Sequence, residues 1–180
     1  MKVVILHDEI PPDARPDELD ALIQADSISK ALMELGHQPA SLGFSLNLRE
    51  VELSLARLRP DLVFNLVESV AGQGRLIYLA PSLLDCLKIP YTGAGTDAMF
   101  STSHKLLAKQ LMASHGIPTP SWYTDRTLGD VVFTAGSYII KLVWEDASLG
   151  IEDDSVVDVK NAAGLGRILT ERADRLKGEV

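Results

Sequence analysis

The stretch Asp61-Leu-Val-Phe-Asn-Leu-Val67 decides the fold class. Its apolar residues run on without the alternation of a strand that has one wet face, which is the pattern of a parallel strand covered on both sides. Just upstream, Leu48, Val51, Leu55 and Leu58 recur at helical spacing and Pro60 ends the helix they predict. Before that come a weak strand at Ala40 to Phe44 and a longer helix. Leu19, Leu22, Ile23, Ile28, Ala31, Leu32 and Leu35 mark that helix, and Gly36-His37 stops it. Lys2 to His7 reads as a first buried strand, followed by an irregular loop, Ile10-Pro-Pro-Asp-Ala-Arg-Pro16, in which proline removes backbone donors. Strand and helix therefore alternate, which predicts right-handed crossovers and a doubly wound parallel α/β sheet.

Downstream of Val67 the pattern predicts a third helix over Gly74 to Leu87, kinked at Pro81, and a fourth strand edge at Pro90 to Gly93. Thr96 or Asp97 caps a helical region that runs through Lys105 and Leu111 to a stop at Gly116. Beyond it the character changes. Short strands are expected at Ser121 to Thr124, Tyr138 to Val143 and Ser155 to Val159, with antiparallel pairing and a closing helix over Ala162 to Leu176. There is no internal repeat and no low-complexity stretch.

Composition narrows the function. In 180 residues, 46% are hydrophobic and 23% charged, which fits an ordinary folded domain or one small domain and part of another. The net charge of -8, from 17 basic and 25 acidic residues, argues against nucleic acid as a partner. No run is long enough to span a bilayer, and Val3 to Leu6 is too short for a signal region. With Cys86 the only cysteine and set in an apolar helical pattern, a core thiol in a cytoplasmic protein is expected.

The chemistry is concentrated in Tyr138-Ile-Ile-Lys-Leu-Val-Trp-Glu-Asp-Ala-Ser-Leu-Gly-Ile151, an apolar run with Lys141 at its centre that breaks into a loop of small residues. A lysine inside such a strand is costly unless its ammonium meets an anion, and Glu145 to Gly150 offers a hydroxyl and backbone donors for phosphate. Snorkelling of Lys141 to solvent before an ordinary acidic turn remains open. Two further blocks precede it: Ile89-Pro-Tyr-Thr-Gly-Ala-Gly-Thr-Asp-Ala-Met99, and Ser103-His-Lys-Leu-Leu-Ala-Lys109 followed by His115-Gly-Ile-Pro-Thr-Pro-Ser-Trp122.

In this order the blocks resemble the D-alanine:D-alanine ligase family of the ATP-grasp superfamily. That family reads G-[IL]-P-Y-T-G, then D-K-x-x-x-K, then G-[IL]-P-x-P, then [IV]-[IV]-K-P-x-x-E-x-[SA]-S-x-G. The likeness is strong from about Asp61 onward and only architectural over the first sixty residues. Two departures stand out: Leu142 replaces the proline after the lysine, and His104 replaces the aspartate before Lys105.

The resemblance implies a Rossmann-like, pre-ATP-grasp domain over residues 1–95 and a partial α+β ATP-grasp domain with antiparallel strands over 96–180. It implies an ATP-dependent carboxylate-amine ligase working through an acyl phosphate, with ATP and magnesium as cofactors and an amino acid or peptide as substrate. Lys105, Lys141, Glu145, Ser148 and Gly150 would hold the nucleotide. Asp8, Glu9, Glu68 and Arg75 would face the substrate: the acidic pair follows the first strand, where a carboxylate could hold an amine, and Arg75 could pair a carboxylate bidentately. An acidic loop that is merely solvated is the competing reading for Asp8 and Glu9, and the family's glycine pair and G-E-x-G signature are absent in those forms. No residue is assigned to catalysis or to metal, since the family's metal carboxylates and catalytic arginine lie in a C-terminal domain expected to be missing here. The chain is accordingly expected to be truncated and inactive alone, with a homodimer possible. The alternative is a short, non-catalytic ATP- or amino-acid-binding regulatory protein built on the same fold.

Overall fold

A computed structural model describes residues 1–10, 16–129, 132–145 and 150–180. The proline-rich loop expected after Ile10 and the residue Ser148 lie mostly or wholly outside them. The chain divides into two compact units, Met1–Ser101 and Thr102–Val180.

In the first unit β1 (Lys2–Asp8) is the central strand of a three-stranded sheet, flanked by β2 (Gln38–Phe44) and β3 (Leu62–Asn65), in the order β2-β1-β3. Both pairings are parallel, with Val4 opposite Ala40 on one side and Val63 on the other. A central parallel strand must be apolar on both faces, and residues 3 to 6 are all buried. Val4 and Leu6 pack with Phe44 and Val63 against Val51 and Leu55 of α2 (Leu48–Leu58) and Ala80 and Leu84 of α3 (Leu79–Leu87). The opposite face, carrying Val3 and Ile5, is covered by α1 (Pro16–Glu34), which contacts β1 and β2. Here the periodicity overstates burial. Ala21, Ala25, Ile28 and Leu32 turn inward, whereas Ile23 and Leu35 are exposed.

The helix boundaries follow local chemistry. Asn47 caps α2 by accepting the Glu50 N–H at 3.3 Å, and Arg59 closes it in the left-handed region. The expected helix over Gly74 to Leu87 is broken into a 3-10 turn (Gly74–Leu76) and α3. Pro81 thereby falls in the first turn of α3, where its missing N–H costs no intrahelical bond. The fourth strand edge reduces to a single parallel bridge between Tyr91 and Val63. Cys86 is exposed, against the expected core thiol, because Ala80, Pro81 and Leu84 make up the buried stripe of α3.

The helical region after Gly95 is also two helices, α4 (Thr96–Ser103) and α5 (Lys105–Ser114). His104 is the N-cap between them: its backbone is extended and its Nδ1 accepts the Leu107 N–H at 3.2 Å. In the second unit β4 (Gly136–Ile139) pairs antiparallel with β5 (Val156–Val159), and α6 (Ala162–Leu176) packs on them through Leu165 and Leu169. Residues 121–124 form no strand.

The expected strand over Tyr138 to Val143 ends early, so Lys141 lies just past β4 and not at the middle of a strand. The reason is the partner. Opposite Ile140 the chain leaves β5 through the 3-10 turn Asp153–Ser155, and the Ile140 N–H donates to the Ser155 carbonyl as the last rung. The next amides find other partners: the Val143 N–H bonds Glu179 O at 2.8 Å and its carbonyl accepts the Lys105 N–H at 3.1 Å.

Candidate functional site: a lysine-lined cavity

The second unit holds a cavity of about 660 Å³ between α5, β4 and the segment 119–123. Its apolar wall comes from Met112, Ile140, Leu165 and Leu169, its aromatic wall from Trp122, Tyr123 and Tyr138. Three lysines line it: Lys105, Lys109 and Lys141. A concave, mostly apolar space with a few convergent cations suits a ligand that has both a ring system and negative charge.

Each lysine arrives by its own route. Lys105 opens α5, where the His104 cap fixes the first turn, and its ammonium donates to the Glu145 carbonyl. Lys109, one turn on, donates to Thr119 Oγ1 at 2.9 Å and Pro120 O at 2.8 Å and stands 5.3 Å from the centroid of the Trp122 ring. Burial, and behind it the Lys141 ammonium, hold Lys109 below its ordinary value of 10.5. Lys141 is exposed between the buried Ile140 and Leu142, so the inward turn of its neighbours sets its side chain outward.

The other residues that the sequence motif set around a nucleotide are placed differently. Glu145 meets Lys105 through its backbone carbonyl. Gly150 has φ +73, and a Cβ there would come within 3.2 Å of Leu142 Cδ1 and 3.3 Å of Leu176 Cδ2, so a packing reason for this glycine exists beside any phosphate role. Ser148 lies outside the described residues. Lys109, Thr119 and Trp122 are cavity residues that the motif reading did not assign. The four-residue spacing of Lys105 and Lys109 carried that information, because it sets both on one face of a helix.

In the first unit the predicted substrate residues gather in part. Asp8, at the carboxyl end of β1, accepts the Glu68 N–H at 2.8 Å, the Ser69 N–H at 2.9 Å and the Ser69 hydroxyl at 2.6 Å. Its carboxylate thus anchors the loop after β3. Glu68 is exposed, and its carboxyl is raised above its ordinary 4.5 by partial burial first, then by the Asp8 and Asp20 charges. Glu9 is exposed with its backbone N–H on Phe44 O, and Arg75 is exposed in the 3-10 turn. Among the described residues no group of three or more His, Cys, Asp or Glu side chains is placed to share a metal ion. No described helix is long and apolar enough to cross a membrane.

A three-stranded parallel sheet followed by an antiparallel pair makes this a mixed α/β protein whose fold matches the N-terminal part of the D-alanine--D-alanine ligases of known structure. In sequence it is homologous to the D-alanine--D-alanine ligases over that part. It is 33% identical over 129 residues to the D-alanine--D-alanine ligase of Aquifex aeolicus, an alignment covering 70% of this chain and 42% of the relative. The crystal structure of D-alanyl-alanine synthetase A from Vibrio cholerae matches with a TM-score of 0.63 at 12% identity, covering 97% of this chain and 56% of that one. The Bacillus anthracis D-alanine--D-alanine ligase complexed with ATP matches at 0.59 and 17% identity, covering 99% and 56%. No protein-family model matches the chain.

Proposed function

We propose that the chain is the nucleotide-binding and substrate-facing portion of an ATP-dependent carboxylate-amine ligase similar to D-alanine--D-alanine ligase. The observation that carries this reading is the convergence of Lys105, Lys109 and Lys141 on one aromatic-walled cavity in a chain homologous to those ligases. In such a reaction a substrate carboxylate oxygen attacks the γ-phosphorus of ATP and ADP leaves. An amine then attacks the acyl carbon and inorganic phosphate leaves. Protein groups chiefly position the reactants and neutralise phosphate charge. Lys105 and Lys141 serve the phosphates, and Glu145, Ser148 and Gly150 are proposed to follow them around the nucleotide. Glu9, Glu68 and Arg75 face an amino-acid or peptide substrate, with Asp8 acting through the loop it anchors. The chain spans 42% of the Aquifex relative, so the whole reaction, its magnesium requirement, a cytoplasmic location and a homodimer are proposed of the ligase and not read from these residues.

Isothermal titration with ATP tests the reading. Binding that weakens roughly tenfold or more in Lys141→Ala is expected. No heat of binding at millimolar ATP would sink it. Amino-acid-stimulated phosphate release would place more of the chemistry on these 180 residues than is proposed here.

A further inference from the structure

Of the three lysines at the cavity, Lys109 is the one bonded to the segment that follows its own helix. Both acceptors of the Lys109 ammonium, Thr119 Oγ1 and Pro120 O, and the Trp122 ring beneath it belong to the segment 119–122, which has no regular secondary structure. An ammonium has three donors; two are taken, and the ring face attracts the cation. The same segment lines the cavity through Thr119, Pro120, Ser121 and Trp122. Nothing regular in its own backbone fixes its distance from α5, so the lysine supplies a tie between them. Lys141 lines the same space.

Building on the nucleotide reading, we propose that Lys109 is a positioning residue that clamps segment 119–122 to α5 and so shapes the pocket wall, without itself contacting phosphate. Lys105 and Lys141 remain the phosphate-side cations. A phosphate ligand and a clamp leave different signatures. Loss of a phosphate contact costs more for each added phosphate, because the lost Coulomb attraction grows with ligand charge. Loss of the wall costs the same for every ligand that shares the nucleoside.

The test titrates adenosine, AMP, ADP and ATP into the full chain and its Lys109→Met, Lys109→Arg, Thr119→Val and Lys141→Met variants. Lys109→Met is expected to weaken all four ligands by the same factor, roughly tenfold for two lost charge-assisted bonds. Thr119→Val, which keeps the lysine, should give a smaller but equally uniform loss, and Lys109→Arg should restore most of the affinity. Lys141→Met should show a loss that climbs from adenosine to ATP. A climbing loss in Lys109→Met, or none, overturns the proposal.

A ligand-free measurement separates the clamp from the nucleotide reading. In a Trp144→Phe background, which leaves Trp122 as the single tryptophan of the two, acrylamide quenching of its fluorescence reports the wall directly. Lys109→Met should raise the quenching constant, with circular dichroism checking that the fold is kept. Unchanged quenching overturns the clamp whether or not nucleotide binds. Absence of binding by the unaltered chain, with raised quenching in Lys109→Met, overturns the nucleotide reading alone.

Discussion

Asp8 and Ser69 are joined twice, through the Ser69 hydroxyl at 2.6 Å and its amide at 2.9 Å, across 61 residues of sequence. The end of the central strand therefore fixes the loop that follows β3, and a third bond from the Glu68 amide completes the hold.

Removing that carboxylate should loosen the first unit. Asp8→Ala is expected to cost about 2 to 3 kcal/mol, since it strips the shared carboxylate acceptor from three donors. Ser69→Ala, which removes the hydroxyl alone, should cost about 1 kcal/mol. Urea unfolding of the two variants and the double mutant gives the coupling between them; additive losses would show that the pair does not act together.

Glu68 gives a pH dependence of opposite sign to that of an ordinary salt-bridged acid. Its carboxyl is raised by partial burial and by the Asp8 and Asp20 charges, so the folded state holds the proton more tightly than the unfolded chain. The stability it contributes is complete below the ordinary 4.5 and is lost as pH rises through the raised folded value. Glu68→Gln should therefore raise the melting temperature at pH 7 and leave it nearly unchanged at pH 4. An equal gain at both pH values would show that the carboxylate is not under this strain.

In the second unit Arg172 is buried, with 9% of its side chain exposed, and pairs with Asp154 at 2.8 Å, while Asp154 is 56% exposed and also takes Arg175 at 3.0 Å. The two ends are unequal. Asp154→Ala takes the carboxylate from a buried guanidinium that keeps its bond to the residue's main-chain carbonyl, and is expected to cost about 2 kcal/mol, reduced from the fully buried case by that bond and by solvent at the acid. Arg172→Met keeps an apolar stem in the core and leaves an acid that still has Arg175 and water, so it should cost less. Thermal denaturation of both variants ranks them, and the reverse order would contradict this account.

Gly150 and Gly116 separate packing from backbone strain. Both have positive φ, +73 and +69, but a Cβ at Gly116 meets nothing within 4 Å whereas one at Gly150 presses on Leu142 and Leu176. Gly116→Ala should cost about 1 kcal/mol for the left-handed backbone, and Gly150→Ala more, by about 1 kcal/mol or greater. Equal losses in chemical denaturation would mean that the leucines give way freely.

Cys86 is expected to react with a water-soluble maleimide in the native chain, because the apolar stripe of α3 leaves its thiol at the surface. Modification seen only after denaturant, followed by intact mass, would return it to the core.

What could be read from the sequence follows the range of the forces involved. The continuous apolar run at 61–67 marked β3, although only Val63 of the strand is fully buried and Leu62, Phe64 and Asn65 are half-buried, and α6 was legible because its apolar residues repeat. The strand over 138–143 was overextended since its end is set by the turn at Asp153–Ser155, which takes the partner away and writes nothing into the apolar run itself. α1 was placed by periodicity and its stripe only in part: Ile28 and Leu32 turn inward as expected, but Ala25 takes a buried place while the larger Leu19, Leu22, Ile23 and Leu35 are exposed. In the site, Lys105 and Lys141 carried motif signatures. The bonds of Lys109 to Thr119 and Pro120 had no signature, because the two segments meet only through the turn after α5.

The two bonds of Val143 have a mechanical consequence. One main-chain residue ties the exit of β4 to Glu179 on one side and to the start of α5 on the other. The main chain at Lys141, two residues before this joint, and at Lys105, bonded directly to it, cannot drift apart without breaking a backbone hydrogen bond. A pull on the chain at Glu179 would therefore reach the roots of both lysines together by way of Val143, and the main chain beneath the two cations would shift as one piece.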